Sequence, residues 1–187
     1  MDLLLRNLQS IHQLSDATIE YIFKNLQKKT LVRNEFFLRK GRICEEIGFV
    51  SSGLLRCYYE KDDNEVCTWF MHEGSFITSV ISFFKQMPSY EFIQAIEPSE
   101  IYYINHANLQ YIYNHFPEFN YIAREILQQY YCLSEERLLS IRNQTPKERY
   151  DFLMNNYPEI IRRVPANYIA SYIDISIWTL SRIKQRR

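Results

Sequence analysis

The spacing of apolar residues changes its period twice along the chain, and each change predicts a change of architecture. From residue 1 to about 29 the period is helical, with Ile19, Ile22, Phe23 and Leu26 recurring on one face behind Ser15, a candidate N-cap. From Leu31 to about Ile104 the chain breaks into short aromatic and β-branched runs. Turn-forming groups separate them: Lys40-Gly41, Ser51-Ser52-Gly53, Lys61-Asp62-Asp63-Asn64, Glu73-Gly74 and Glu97-Pro98-Ser99. The clearest hairpin pairs Leu54 to Tyr59 with Glu65 to Phe70 across Lys61-Asp62-Asp63-Asn64. Short strands with turns every eight to twelve residues predict an antiparallel sandwich or barrel.

Helical spacing returns near Asn105. Ala107 to His115 predicts a short helix with Leu109, Ile112 and Tyr113 inward, closed by Pro117. Glu118 to about Arg142 has neither glycine nor proline and carries two apolar stripes. One runs through Ile122, Ile126 and Leu133, the other through Leu127, Tyr131, Leu138 and Ile141. A helix apolar on two sides must bury both. One side can pack on its own domain, and the economical partner for the other is a second copy of the chain, although burial of both within one subunit fits the same pattern. Thr145-Pro146-Lys147-Glu148 then reads as a capping box, with Pro146 at N1, opening a helix that buries Phe152, Leu153 and Tyr150 and ends at Tyr157-Pro158.

The last two dozen residues read as two short helices at a steep angle. Ile169, Ala170, Ile173, Ile175, Leu180 and Ile183 supply their apolar contact, and Ala170 is small where they cross. Pro165 suits the first turn and Ser176 caps the second helix. Asp174 takes the turn position where positive φ is common. An amphipathic hairpin closing a domain would show the same spacing, and charge separates the two readings. The chain is neutral overall, yet Arg162 to Arg187 holds six basic residues and one acidic residue. This segment is therefore +5 and the remainder −5. A basic terminus on an acidic chain is the electrostatic footprint of a DNA-contacting helix-turn-helix.

Composition narrows the chemistry further. With 187 residues, 47% hydrophobic and 16% aromatic, the chain can bury a sizeable core. No apolar run reaches the ~18 residues of a membrane span, and Met1 to Arg6 lacks the start of a signal peptide, so a soluble, cytoplasmic protein with no membrane partner is expected. Cys44, Cys57, Cys67 and Cys132 lack paired spacing, and His12, His72, His106 and His115 are dispersed. Four glycines are too few for a glycine-built phosphate cradle. No metal, no cofactor and no enzymatic activity are expected.

In this order the chain resembles the catabolite-activator and fumarate-nitrate-reduction regulators, the Crp/Fnr family. The resemblance is carried by Arg39-Lys40-Gly41, Phe49-Val50-Ser51-Ser52-Gly53-Leu54-Leu55-Arg56, Glu73-Gly74-Ser75-Phe76-Ile77, Glu91 to Glu97, Lys147-Glu148-Arg149-Tyr150 and the terminal hairpin. It implies an α+β chain. An N-terminal antiparallel β-roll (a double-stranded β-helix of the cyclic-nucleotide-binding type) would occupy 1–117, a dimerisation helix 118–142, and a helix-turn-helix DNA-binding domain 143–187 with no residues left for a wing. Homodimerisation through Ile122, Ile126 and Leu133, and binding to double-stranded DNA, follow from the same resemblance.

Two departures qualify it. Where cyclic-nucleotide binders of the family place a Gly-Glu pair and then an Arg, this chain has Thr78-Ser79 and, around Ser89 and Tyr90, no cation. A buried phosphate would carry a large desolvation penalty there, so cyclic AMP is not expected to bind. An unidentified, less charged small-molecule effector could use Ser79, Ser82, Tyr90 and Glu91 as polar groups and Trp69, Phe76, Phe83 and Phe92 as walls. The same aromatics read more readily as core, since an apolar set at strand spacing is usually packing. In the second helix, Ile177 and Trp178 fall where polar base readers are common and offer a thymine methyl only apolar contact, while Trp178 packing within the domain or against a partner fits as well. Arg182 matches a base-contacting arginine, with Ser176, Thr179, Ser181, Lys184, Arg186 and Arg187 as phosphate contacts or solvated surface. The alternative is a ligand-sensing or protein-interaction module whose hairpin no longer reads DNA.

Overall fold

The computed structural model describes residues 1–185. It divides into two compact units: Met1–Cys57 with Phe70–Gln128, and Tyr58–Trp69 with Gln129 onward. The fold is α+β, with two antiparallel sheets followed by a long helix and a set of C-terminal helices.

In the first unit the expected helix over residues 1–29 is instead two helices and the start of a strand: α1 (Asp2–Ile11), α2 (Asp16–Asn25) and β1 (Gln27–Leu31). Ser15 causes the break. Its backbone is extended and its hydroxyl accepts the Thr18 N–H at 3.3 Å, which caps α2. Leu26 is extended as well, so the polar segment Gln27–Leu31 leaves the helix and pairs with Ser99–Tyr103.

The remaining strands are β2 (Phe36–Leu38), β3 (Glu46–Ser52), β4 (Leu55–Lys61), β5 (Asn64–Met71), β6 (Phe76–Ile77), β7 (Phe92–Ala95) and β8 (Ser99–Asn105). They form two four-stranded sheets, ordered β1-β8-β3-β6 and β2-β7-β4-β5. The β4–β5 hairpin turns through Asp62 and Asp63, at φ +49° and +60°. Two consecutive left-handed residues match the right-handed twist of the flanking strands, and aspartate tolerates that region. At Gly53 the φ of +98° favours glycine, and an added Cβ would sit 2.3 Å from the Ser99 hydroxyl and 2.6 Å from the Pro98 carbonyl. Phe49, Val50, Leu54, Leu55, Ile77, Phe83, Ile93 and Ile101 are buried at the centre of this unit.

Three helices complete the elements that begin there: α3 (Val80–Lys85), α4 (His106–His115) and α5 (Pro117–Asn143). Glu118, in the first turn of α5, anchors α2. Its carboxylate accepts hydrogen bonds from the Thr18 hydroxyl and, at 2.7 Å, from the Ser15 hydroxyl. These bonds, with Thr18 the larger contributor, hold the Glu118 carboxyl at about 2, against an ordinary value of 4.5. A depressed carboxylate stabilises the fold above its ordinary value and loses that contribution as pH falls toward its folded value. Glu118→Gln is therefore expected to lower stability at pH 6 by about 1 kcal/mol, a solvent-screened figure. The difference from the native chain should close between pH 4.5 and 2, as read from urea denaturation across that range.

In the second unit, the latter part of α5 and the middle of the β4–β5 hairpin accompany α6 (Pro146–Asn156), α7 (Pro158–Arg163), α8 (Ala166–Tyr172) and α9 (Ile177–Gln185). The capping box forms: Thr145 Oγ1 accepts the Glu148 N–H at 3.3 Å, and Glu148 Oε2 accepts the Thr145 N–H at 2.7 Å. The burial expected on α6 needs one correction. Tyr150 and Leu153 are buried together with Arg149, whereas Phe152 is exposed. Residue 152 lies about 100° around the helix from the middle of the face that the other three share.

Candidate nucleic-acid interface and effector region

The terminal hairpin is built as a helix-turn-helix. Ile169, Ala170, Ile173 and Leu180 are buried, while Ile175 and Ile183 are half-buried at the edge of the contact. The chain leaves α8 through a Ile175 N–H to Ala170 O bond of 3.0 Å and an Asp174 N–H to Ser171 O bond of 3.2 Å, with Asp174 at φ +54°. Ser176 then caps α9, its hydroxyl accepting the Thr179 N–H at 3.1 Å.

Behind this turn lies a residue named above only as part of the family resemblance and given no role from its spacing. Arg149, buried on α6, donates from Nη1 to the Ile141 carbonyl at 2.9 Å and from Nη2 to the Asp174 carbonyl at 3.2 Å. One guanidinium thus joins the end of α5 to the turn that aims α9. Its Nε has no hydrogen-bond partner among the described residues. Truncation would leave two carbonyls unsatisfied and a cavity at the junction, so Arg149→Ala should lower stability by about 2–3 kcal/mol in chemical denaturation. The sequence signal was available: a cation adjacent to Tyr150 and four residues before Leu153, in the middle of an apolar face.

The outward face of α9 carries Trp178, Ser181 and Arg182, with Ser176, Ile177 and Lys184 also exposed. Trp178 is 79% exposed. It shares a face with Arg182 because residues four apart are helix neighbours. Thr179 is half-buried, and its hydroxyl accepts from Arg182 Nη2 at 3.4 Å. Arg186 and Arg187, expected as phosphate contacts, lie outside the described residues.

On the other side of α8, the second unit fastens this hairpin to the β4–β5 strands. The Ser171 hydroxyl donates to the Glu65 carbonyl and accepts the Cys67 N–H, each at 2.9 Å. Arg137 on α5 donates to the Cys67 carbonyl at 3.3 Å and lies over the Tyr172 ring, 3.9 Å from its centroid. Burial pushes the Tyr172 phenol up, and Arg137 partly opposes it. Trp69, expected as a wall of an effector pocket, is instead part of this unit, tilted against Tyr130 at 6.2 Å. A bulky aromatic at the end of the hairpin finds its partner on α5 rather than inside the roll.

The other candidate effector residues lie in the first unit. Ser79, Ser82, Phe83 and Glu91 are buried. The Ser79 hydroxyl donates to Glu91 Oε1 at 2.7 Å and sits 3.1 Å from the Ser89 hydroxyl, and Cys57 Sγ donates to Glu91 Oε2 at 2.8 Å. Ser82 accepts the Cys44 N–H at 2.8 Å and donates to the Met87 carbonyl at 2.6 Å. Phe83 packs edge-on against Phe84 and His106. Tyr90 is exposed, Phe92 packs on Phe36, and Phe76 packs on Phe49. Cys57 and Ser89 complete the polar cluster, and sequence spacing did not single them out.

On α5 the stripe expected to pair with a second copy is largely used by the chain itself. Ile122 is 0% exposed within the first unit, so it is unavailable to a partner, and Ile126 and Leu133 are half-buried. The open stripe is the other one: Leu127, Tyr131 (67% exposed) and Leu138, with Leu139 beside it. Among the described residues, no helix is long and apolar enough to cross a membrane.

Residues 28–116 match the cyclic nucleotide-binding domain family. As a whole, the chain has the fold of the Crp/Fnr regulators. It is similar to the c-di-GMP-responsive global regulator CLP of Xanthomonas campestris at 15% identity and a TM-score of 0.74, covering 92% of this chain and 91% of that one. A crp/fnr-family protein of Eubacterium rectale aligns at 17% identity and a TM-score of 0.71, over 92% and 83% of the two chains. The catabolite activator protein of Thermus thermophilus aligns at 15% identity and a TM-score of 0.58, over 96% and 85%. No curated protein matches the chain by sequence.

Proposed function

We propose that this chain is a Crp/Fnr-type transcription regulator that acts in the cytoplasm as a homodimer on double-stranded DNA and does not respond to cyclic AMP. The observation that carries this reading is the outward face of α9, polar and basic around Arg182, on a helix that the Asp174 turn and the Ser176 cap hold in a helix-turn-helix. Residues 1–117 serve as the sensor, 118–142 as the dimerisation helix and 143–187 as the DNA-binding domain. Two copies of α9 about one DNA turn (~34 Å) apart would read a pseudo-palindrome. Arg182 donates to a guanine edge, Trp178 contacts a neighbouring thymine methyl, and Ser176, Thr179, Ser181 and Lys184 serve the phosphates. In the dimer, Leu127, Tyr131 and Leu138 face their symmetry mates.

The exclusion of cyclic AMP rests on Glu91. Where a cyclic phosphate would need a cation, Ser79 already donates to a buried carboxylate. A second anion there would meet like charge at low dielectric. Calorimetric titration should show no cyclic AMP binding, and micromolar affinity would refute this part. For DNA, anisotropy titrations over genomic fragments should find a site whose affinity falls by orders of magnitude between 50 and 200 mM salt, as roughly 6–10 phosphate contacts require. Salt-independent or absent binding would remove the reading.

Trp178 and Ile177, exposed side by side, favour a second reading: a protein-interaction module whose α9 contacts an apolar partner surface. In that case Trp178→Ala would abolish partner capture while Arg182→Ala left it intact.

A further inference from the structure

The first unit contains a cavity of about 90 Å³ that is separate from the Ser79–Glu91 cluster. It lies among α1, α2, α4, the start of α5 and the β1-β8-β3-β6 sheet. Leu8, Ile22, Phe76, Ile112, Phe119 and Ala123 are among its lining residues. Side-chain polarity at its wall is confined to the hydroxyls of Tyr102, Tyr103 and Tyr113, and the Tyr103 hydroxyl already donates to Gln27 at 2.7 Å. Two of its lining residues, Phe84 on α3 and Leu127 on α5, are also exposed at the surface, so the cavity has a mouth made of apolar side chains.

The size and chemistry of the space limit what can fill it. One water needs roughly 10–15 Å³ by this kind of measure, together with two to four polar partners. The volume is several times that and the wall offers few such partners, so ordered water is a poor occupant. A charged ligand would find no counter-charge among the lining residues. We propose that this cavity is a binding site for a small uncharged hydrophobic molecule of about one aromatic ring, entering between Phe84 and Leu127. Binding itself does not depend on the DNA-binding reading. That such a molecule is the effector does rest on that reading, because Leu127 also belongs to the stripe assigned to the dimer.

The test uses the full chain with benzene and indole as probes and benzoate as the charged control. At tenfold excess over its dissociation constant, a bound probe should raise the melting temperature by about 3 °C, while benzoate should leave it unchanged. Ala123→Leu fills the cavity from α5 and should weaken the response at least tenfold while keeping the native far-ultraviolet circular dichroism. Methyl-labelled native protein gives a readout independent of that variant. Indole should shift the methyl signals of Leu8, Ile112 and Ala123. An absent thermal response, an equal response from a folded Ala123→Leu chain, or shifts confined to surface methyls would overturn the proposal.

Discussion

Replacing Leu138 by aspartate should convert a particle of twice the 22.7 kDa chain mass into one of that mass. Leu138 is 42% exposed on the single chain and lies on the open stripe of α5 with Leu127 and Tyr131. In a two-fold interface every residue acts twice. Losing two buried leucines removes about 1.5–3 kcal/mol each, before the burden of two desolvated carboxylates facing each other. The total exceeds about 4 kcal/mol, or roughly a thousandfold in the dissociation constant. Sedimentation equilibrium reads this directly, and a variant that keeps the native mass would refute pairing through this stripe. Ile122→Asp serves as the contrasting case. Its side chain is fully buried in its own unit, so that variant should unfold rather than dissociate.

Arg182→Ala should weaken specific DNA binding by about a thousandfold. A bidentate arginine–guanine pair discriminates by about 1–3 kcal/mol, and a dimer loses it in both half-sites, about 4 kcal/mol in all. The same variant should lose sequence preference at the guanine position. Lys184→Ala should differ in kind, lowering affinity uniformly across sequences and reducing the salt slope by about one unit per site. Anisotropy titrations on a set of single-base variants of the site separate these outcomes. Equal losses for both variants at every base would mean that Arg182 contacts only phosphate.

Much of this architecture was legible in the residues because it is set locally. The Thr145 capping box, the Asp62-Asp63 turn, the Ser15 and Ser176 caps and the Asp174 turn each depend on neighbours within four residues. Features set by distant partners were harder to read. Gln27–Leu31 is too polar to announce a strand and becomes one because Ser99–Tyr103 lies alongside. Both stripes of α5 are apolar, and nothing in their spacing says which one the chain's own sheet and helices will cover. Phe152 looked like core but is exposed, and Arg149 is buried in its place, because burial on α6 is decided by the end of α5 and the Asp174 turn. In the candidate effector region, Ser79 and Glu91 were found through the family resemblance. Cys57 joins them from 34 positions away.

The bonds from Ser171 to the β4–β5 hairpin carry a consequence for how the chain is made. Glu65 and Ser171 are 106 residues apart in sequence. At about 5–20 residues per second of synthesis, the hairpin is complete roughly 5–20 s before the helix that receives it has left the ribosome. Throughout that interval the Ser171 hydroxyl that will join the Glu65 carbonyl to the Cys67 N–H has yet to arrive at this strand, which lies at the end of its sheet. An uncovered edge strand is a template for association with other chains. Nascent chains stalled between these two points should therefore aggregate or recruit a chaperone more readily than chains released after residue 171.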